Sequence, residues 1–201
     1  MPIFTDLIQN QRTSRTSSGI MKPGSLDARD WYREKAREVV SISPNKIISQ
    51  NKTYNRNTIQ PGFMYLFGYD PKMKDELPFY DRYPLIFPFK SEDNGFLGMN
   101  LHYLPHIMRA RLMDELYELT NNERYNDSTK ILASYKLLNS AARYKYFKPC
   151  IKRYLYSHLT TRFLFIPSSE WDIALFLPLE RFEKQSISSV YRDSRYKINA
   201  L

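Results

Sequence analysis

The chain has one cysteine, Cys150, in 201 residues. That excludes an internal disulfide framework and a cysteine-rich zinc site, and it fits folding in a reducing cytosol. Six glycines are scattered along it, and none builds a glycine-rich phosphate loop. Nucleophile-elbow, zinc-protease and kinase signatures are missing too. There is no run of about 18 apolar residues, so no membrane span is expected. The start, Met1-Pro2-Ile3-Phe4-Thr5-Asp6, lacks the basic-then-apolar order of a secretion signal. These absences lead us to expect a non-enzymatic protein with no cofactor, no metal, no small-molecule ligand and no membrane.

Aromatic residues are plentiful, with 16 Tyr and 12 Phe against two Trp. A chain that is 42% hydrophobic can bury a real core. Tyr pairs an apolar body with a polar tip, which suits half-buried surfaces and interfaces. The net charge is +9 and is unevenly placed. Residues 1–60 carry 10 basic against 5 acidic residues, 61–120 carry 6 against 9, and 121–201 carry 14 against 7. Basic flanks attract nucleic acid or acidic protein partners.

The order of segments predicts an α+β protein: a small, strongly bent antiparallel sheet or open barrel packed with three to five helices, plus an extended N-terminal arm. The arm takes residues 1–60 and the compact domain 61–201. Residues 1–24 are too polar to order alone and are expected to be either disordered or ordered by a neighbour. An amphipathic helix over 25–40, capped by Ser25 or Asp27, puts Tyr32, Ala36 and Val39 on one stripe. That stripe must dock on the domain or on a partner. Aromatic strands are expected at 63–69, 85–89 and 96–103, with a tight hairpin at Asn94-Gly95. Pro88 lacks a donor, which places its strand at an edge or a bulge. Helices should open at Pro105, Asp127 and Pro149, the last with Ile151, Leu155 and Leu159 inward. Arg162 to Ile166 reads as a strand. A short helix should follow from Ser169, and a surface helix should span 188–198.

Several groups could carry chemistry. His102 and His106 are four apart, but Pro105 between them breaks a shared helical face. With Asp114 and Glu115 two turns away, two polar residues at a corner are a simpler reading than a metal site. Cys150 sits at an expected helix start beside Lys148 and Lys152, a setting that lowers a thiol pKa. His158 would lie ~12 Å further along, too far to pair, so a buried structural cysteine is the simpler reading. Asp70, Asp75, Glu76 and Asp81 are interleaved with Lys72, Lys74 and Arg82, as in a solvated charged loop. The sharpest binding candidate is the basic–aromatic stretch 143–156. Its Arg143, Lys145, Lys148, Lys152, Arg153 and Tyr156 could neutralise phosphates and stack on bases, or meet an acidic partner. On a helix, Lys152, Arg153 and Tyr156 would simply cover the outside. The proline-punctuated stretch with Phe79, Tyr80 and Tyr83 is a rigid amphipathic loop suited to docking a partner.

Three long motifs, Met64 to Lys72, Leu77 to Leu85 and Gly95 to Pro105, resemble a family of virion-associated proteins from T4-like contractile-tailed phages, including marine cyanophages. Phe147 to Leu155 and Glu170 to Pro178 are similar as well. The resemblance covers roughly residues 61–195. It implies a structural or assembly subunit of a tailed-phage virion, made in the host cytoplasm and placed in the tail–baseplate or head–tail neck region near the DNA axis. Other virion proteins in a symmetric assembly would be its partners. The alternative is a DNA end protector that binds packaged genome termini, with phage DNA as partner. A small hydrolase or nuclease, motivated by His102, Cys150 and the carboxylates, is a third reading. The family brings no catalytic residues.

Overall fold

Alternating bulky residues drive a six-stranded antiparallel sheet. A computed structural model describes residues 3–4, 34, 39, 41–105, 108–110, 112, 133, 135–137, 140 and 145–200. The strands are β1 (Asn55–Arg56), β2 (Met64–Leu66), β4 (Leu85–Glu92), β5 (Gly95–Asn100), β6 (Ile151–Leu155) and β7 (Phe163–Ile166), in the order β1-β7-β2-β4-β5-β6. A small second sheet pairs β3 (Tyr80–Asp81) with β8 (Phe182–Glu183). Three helices have complete bounds among the described residues: α1 (Pro44–Gln50), α2 (Trp171–Phe176) and α3 (Ile187–Asn199). Residues 108–110, 112, 133, 135–137 and 140 are also helical. The α+β class expected from the sequence is what is found.

Period-two alternation sends side chains to opposite faces. Met64, Leu66, Leu85, Phe87, Met99 and Leu164 join the main core with α2. Tyr65, Phe67, Ile86, Phe96, Tyr154 and Phe163 form a second cluster on the other face. The rings of Phe96 and Phe163 lie 5.8 Å apart, although β5 and β7 are three strand positions apart. A flat sheet would separate those strands by about 14 Å. The sheet therefore curls around its aromatic face. The same curl lets seven residues, 156–162, connect β6 to β7 four positions away.

Pro88 is accommodated by a bulge, where the register with β5 shifts between Pro88 and Lys90. The β4–β5 hairpin turns on Asp93-Asn94, one residue earlier than expected, with Glu92 opposite Gly95. Gly95 meets a different demand. A Cβ there would stand 2.0 Å from the Tyr154 carbonyl oxygen, so any side chain would push β6 away.

The expected helix from Pro149 is not formed. Lys145–Cys150 is a 3-10 turn and Ile151–Leu155 is a strand. Ile151 and Leu155 are four apart, which suits a helix face and a strand face alike. Tyr154 decides between them, because its ring packs among Phe67, Tyr69 and Phe96 on the face opposite Arg153.

Residues 41–60, expected to belong to the extended arm, supply α1 and the edge strand β1. Ser43 caps α1 by accepting from the Lys46 N–H, and Pro44 occupies its first turn. Ile47 and Ile48 enter the core. The first residues also return to the body. Ile3 and Phe4 are buried, and both their N–H groups donate to one Glu170 carboxylate oxygen, at 2.7 and 2.8 Å. The expectation that 1–24 is disordered or ordered by a neighbour is corrected for these two residues, whose apolar side chains find their place in the chain's own core. Glu170→Ala leaves two buried donors unmatched and is expected to cost about 2 kcal/mol in chemical denaturation.

Candidate nucleic-acid interface

Helix α3 builds the exposed wall of the candidate site. Ser186 caps it by accepting from the Ser189 N–H. Val190, Ser194 and Ile198 face inward at helical spacing. Arg192, Arg195, Tyr196 and Lys197 are left outside. Tyr196 is 73% exposed, unusual for a large ring. Lys197 pairs with Asp193 at 2.7 Å.

A buried knot anchors this helix. Arg109, fully enclosed, donates from Nε to the Leu104 carbonyl at 2.8 Å and from its terminal nitrogens to the carbonyls of Leu175 and His102. It also donates to the Tyr191 hydroxyl of α3 at 2.6 Å and pairs with Glu180. Burial raises the Glu180 carboxyl, but Arg109, His102 and local hydrogen bonds outweigh it and bring the group down to about 2.

Beside the knot, Asp81 accepts from Asn100 Nδ2 at 3.1 Å, lies 2.7 Å from His102 Nδ1, and takes the Tyr83 N–H. Asn100 also reaches the Tyr154 hydroxyl. Asp81 is 3% exposed, which corrects its assignment to a solvated charged loop. It is the hub that ties β3 to β5. His102 and Cys150 are both enclosed in the core. Burial pushes the Cys150 thiol up to about 12; the lowering expected at a helix start does not occur, because no α-helix starts there. His102, Cys150 and Asp81, three of the groups that motivated a hydrolase or nuclease, thus do not reach the surface, while Asp75 and Glu76 stay exposed. Among the described residues no three His, Cys, Asp or Glu gather to hold a metal, and no helix is long and apolar enough to cross a membrane.

The basic–aromatic stretch divides in two on the edge strand. Lys148, exposed, lies in the 3-10 turn that packs on α3, and Lys145 begins that turn. Lys152 is half-buried, with Nζ 4.1 Å from the centre of the Tyr103 ring. Burial brings its ammonium down to about 8, Lys197 acting the same way while Cys150 and Asp193 oppose. Arg153 turns the other way. It pairs with Glu92 at 2.7 Å and donates to Asn94 Oδ1. Tyr156, exposed, leans on Phe96. Arg143 lies outside the described residues.

Among the residues expected to dock a partner, Tyr32 and Ala36 also lie outside the described residues, and Val39 is buried in the core. Phe79 is half-buried against Tyr103 and Phe182, with the Lys197 ammonium over its ring. Tyr80 is in β3, and Arg82 covers Tyr83. A chain of contacts thus runs from Lys152 through Tyr103 and Phe79 to Lys197. It merges a nucleic-acid candidate, a docking candidate and α3 into one cationic, aromatic face. Sequence reasoning missed the α3 part. Its signal was Arg192, Arg195, Tyr196 and Lys197 crowded on a helix whose other side is apolar.

The chain matches the family model described as phage T4 terminal DNA protecting protein over residues 29–196. That match begins well before residue 61, where the resemblance read from the sequence starts. No curated protein and no solved structure matches the chain.

Proposed function

We propose, since the chain belongs to the phage T4 terminal DNA protecting protein family, that it binds the termini of a phage genome and shields them. The family match over most of the chain carries this reading. It favours the end-protector expectation over a tail–baseplate or neck subunit, because the family description names DNA termini. The protein would be made in the host cytoplasm and travel with the virion, where other virion proteins are its further partners.

In this reading the contact surface is the α3 face with its neighbours: Lys148, Lys152, Arg192, Arg195 and Lys197. Cations gathered on one face release counterions from the phosphate backbone, which makes binding steeply salt-dependent. Arg153 lies outside this surface, since it turns the other way to pair with Glu92.

The test compares a linear duplex with a covalently closed circle of the same sequence. Tighter binding to the linear form is expected. Affinity should fall by about two to three orders of magnitude between roughly 50 and 200 mM salt, as for about five phosphate contacts. The linear form should also resist exonuclease digestion. Equal affinity for linear and circular DNA would sink the reading.

A further inference from the structure

Beside Tyr196 runs a groove between the loop carrying Phe79 and helix α3. Phe79 and Tyr196 give it aromatic walls. Gln185, Ser189 and Asp193 line it with hydrogen-bonding groups, and Arg192 stands at its side. The two walls are tied together beneath. Tyr80 pairs with Glu183 in the small sheet. Just beyond, Lys184 adopts a left-handed backbone, φ 69°, and sends its ammonium to three carbonyls of the opposite loop. Those of Lys74, Asp75 and Leu77 accept from Nζ at 2.6, 2.9 and 3.0 Å. A non-glycine residue in that region signals a conformation imposed by its surroundings. Here Lys184 ties the segment leading into Gln185 to the loop leading into Pro78 and Phe79.

We infer that this groove holds one unpaired nucleobase at a DNA terminus, stacked on the Tyr196 ring. This rests on the end-binding reading above. Three features single out a base as the occupant. An aromatic ring exposed to this degree offers a stacking face to any base. The groove's amide, hydroxyl and carboxylate groups match the mixed donors and acceptors of a base edge. Arg192 and Arg195, both exposed, supply positive charge for the attached phosphates. A free end offers such a base with little or no unstacking, whereas a closed duplex must first break a pair. The groove therefore gives a structural reason for preferring ends, which backbone cations alone do not.

The experiment measures affinity for a linear duplex with a one-base 3′ overhang and for the closed circle, in wild type, Tyr196→Ala and Tyr196→Phe. The overhanging base is 2-aminopurine, whose fluorescence reports stacking. The wild type should quench it on binding. Tyr196→Ala should lower the overhang-to-circle affinity ratio about tenfold and abolish quenching, and Tyr196→Phe should keep both. Tyr196 is largely solvent-exposed, so folding is not at stake in either variant. A wild-type end preference that Tyr196→Ala leaves unchanged would overturn the groove alone. No end preference in the wild type would overturn end binding and the groove together.

Discussion

Replacing Arg109 with alanine should cost about 3–5 kcal/mol at neutral pH, a large part of the 5–15 kcal/mol that holds a typical domain. The side chain is fully buried and serves three carbonyls, a hydroxyl and a carboxylate. Without it Glu180, 4% exposed, keeps a buried charge with its main counterion gone. The loss should therefore depend on pH. In the intact protein the Glu180 carboxyl sits near 2, below its ordinary 4.5. It contributes about 3 kcal/mol above pH 4.5, lost as pH falls toward 2. In Arg109→Ala burial is opposed only by His102 and a backbone hydrogen bond, so the carboxyl rises and the neutral form is better tolerated. The difference between wild type and variant should shrink as pH drops from 7 to about 3. Adding Glu180→Leu should recover part of the loss at neutral pH, but not the three carbonyls. Urea titrations across pH would measure this, and a cost under about 1 kcal/mol at pH 7 would rule out the knot as an anchor of α3.

Phe67→Ala should be nearly as damaging, at about 3–5 kcal/mol. Phe67 is fully buried, and its ring meets those of Tyr69, Phe96, Tyr154 and Phe163 edge-on, with centroids 5.0–6.3 Å apart. These four rings come from widely separated parts of the chain, so one truncation loosens several strand pairings at once. Phe67→Leu should be milder, because more of the volume is kept. The denaturation midpoint should drop with an unchanged slope. A variant as stable as the wild type would mean that the curl of the sheet does not depend on this cluster.

Much of the sheet was legible because its chemistry is local. Aromatic alternation marks β2, β4, β5 and β7, and Pro88 announces its bulge. The helix at 187–199 was legible for the same reason, with Val190 and Ile198 on its inner side. β6 was not, since Ile151 and Leu155 satisfy both periods and only the rings awaiting Tyr154 across the fold choose between them. The buried polar hubs were equally hidden. Asp81 sits in a stretch of alternating charges, and its partners His102, Asn100 and Arg181 lie 19 to 100 residues away. Arg109, between Met108 and Leu112, looks like any solvated helix residue until Glu180 is placed beside it. The groove depends on Phe79 meeting Tyr196, a pairing that no sequence window contains. Expected contacts on the 25–40 helix at Tyr32 and Ala36 remain proposals.

The seating of Ile3 and Phe4 on Glu170 bears on how the protein comes off the ribosome. These residues are made 166–167 positions before their acceptor. Phe4 lacks its hydrogen-bond acceptor until the chain has been extended past Glu170. A nascent chain thus carries these two residues without their acceptor until Glu170 is made, and a product cut short before residue 170 never acquires it. Because a contact this non-local forms late, docking of Ile3 and Phe4 reports that synthesis has passed Glu170.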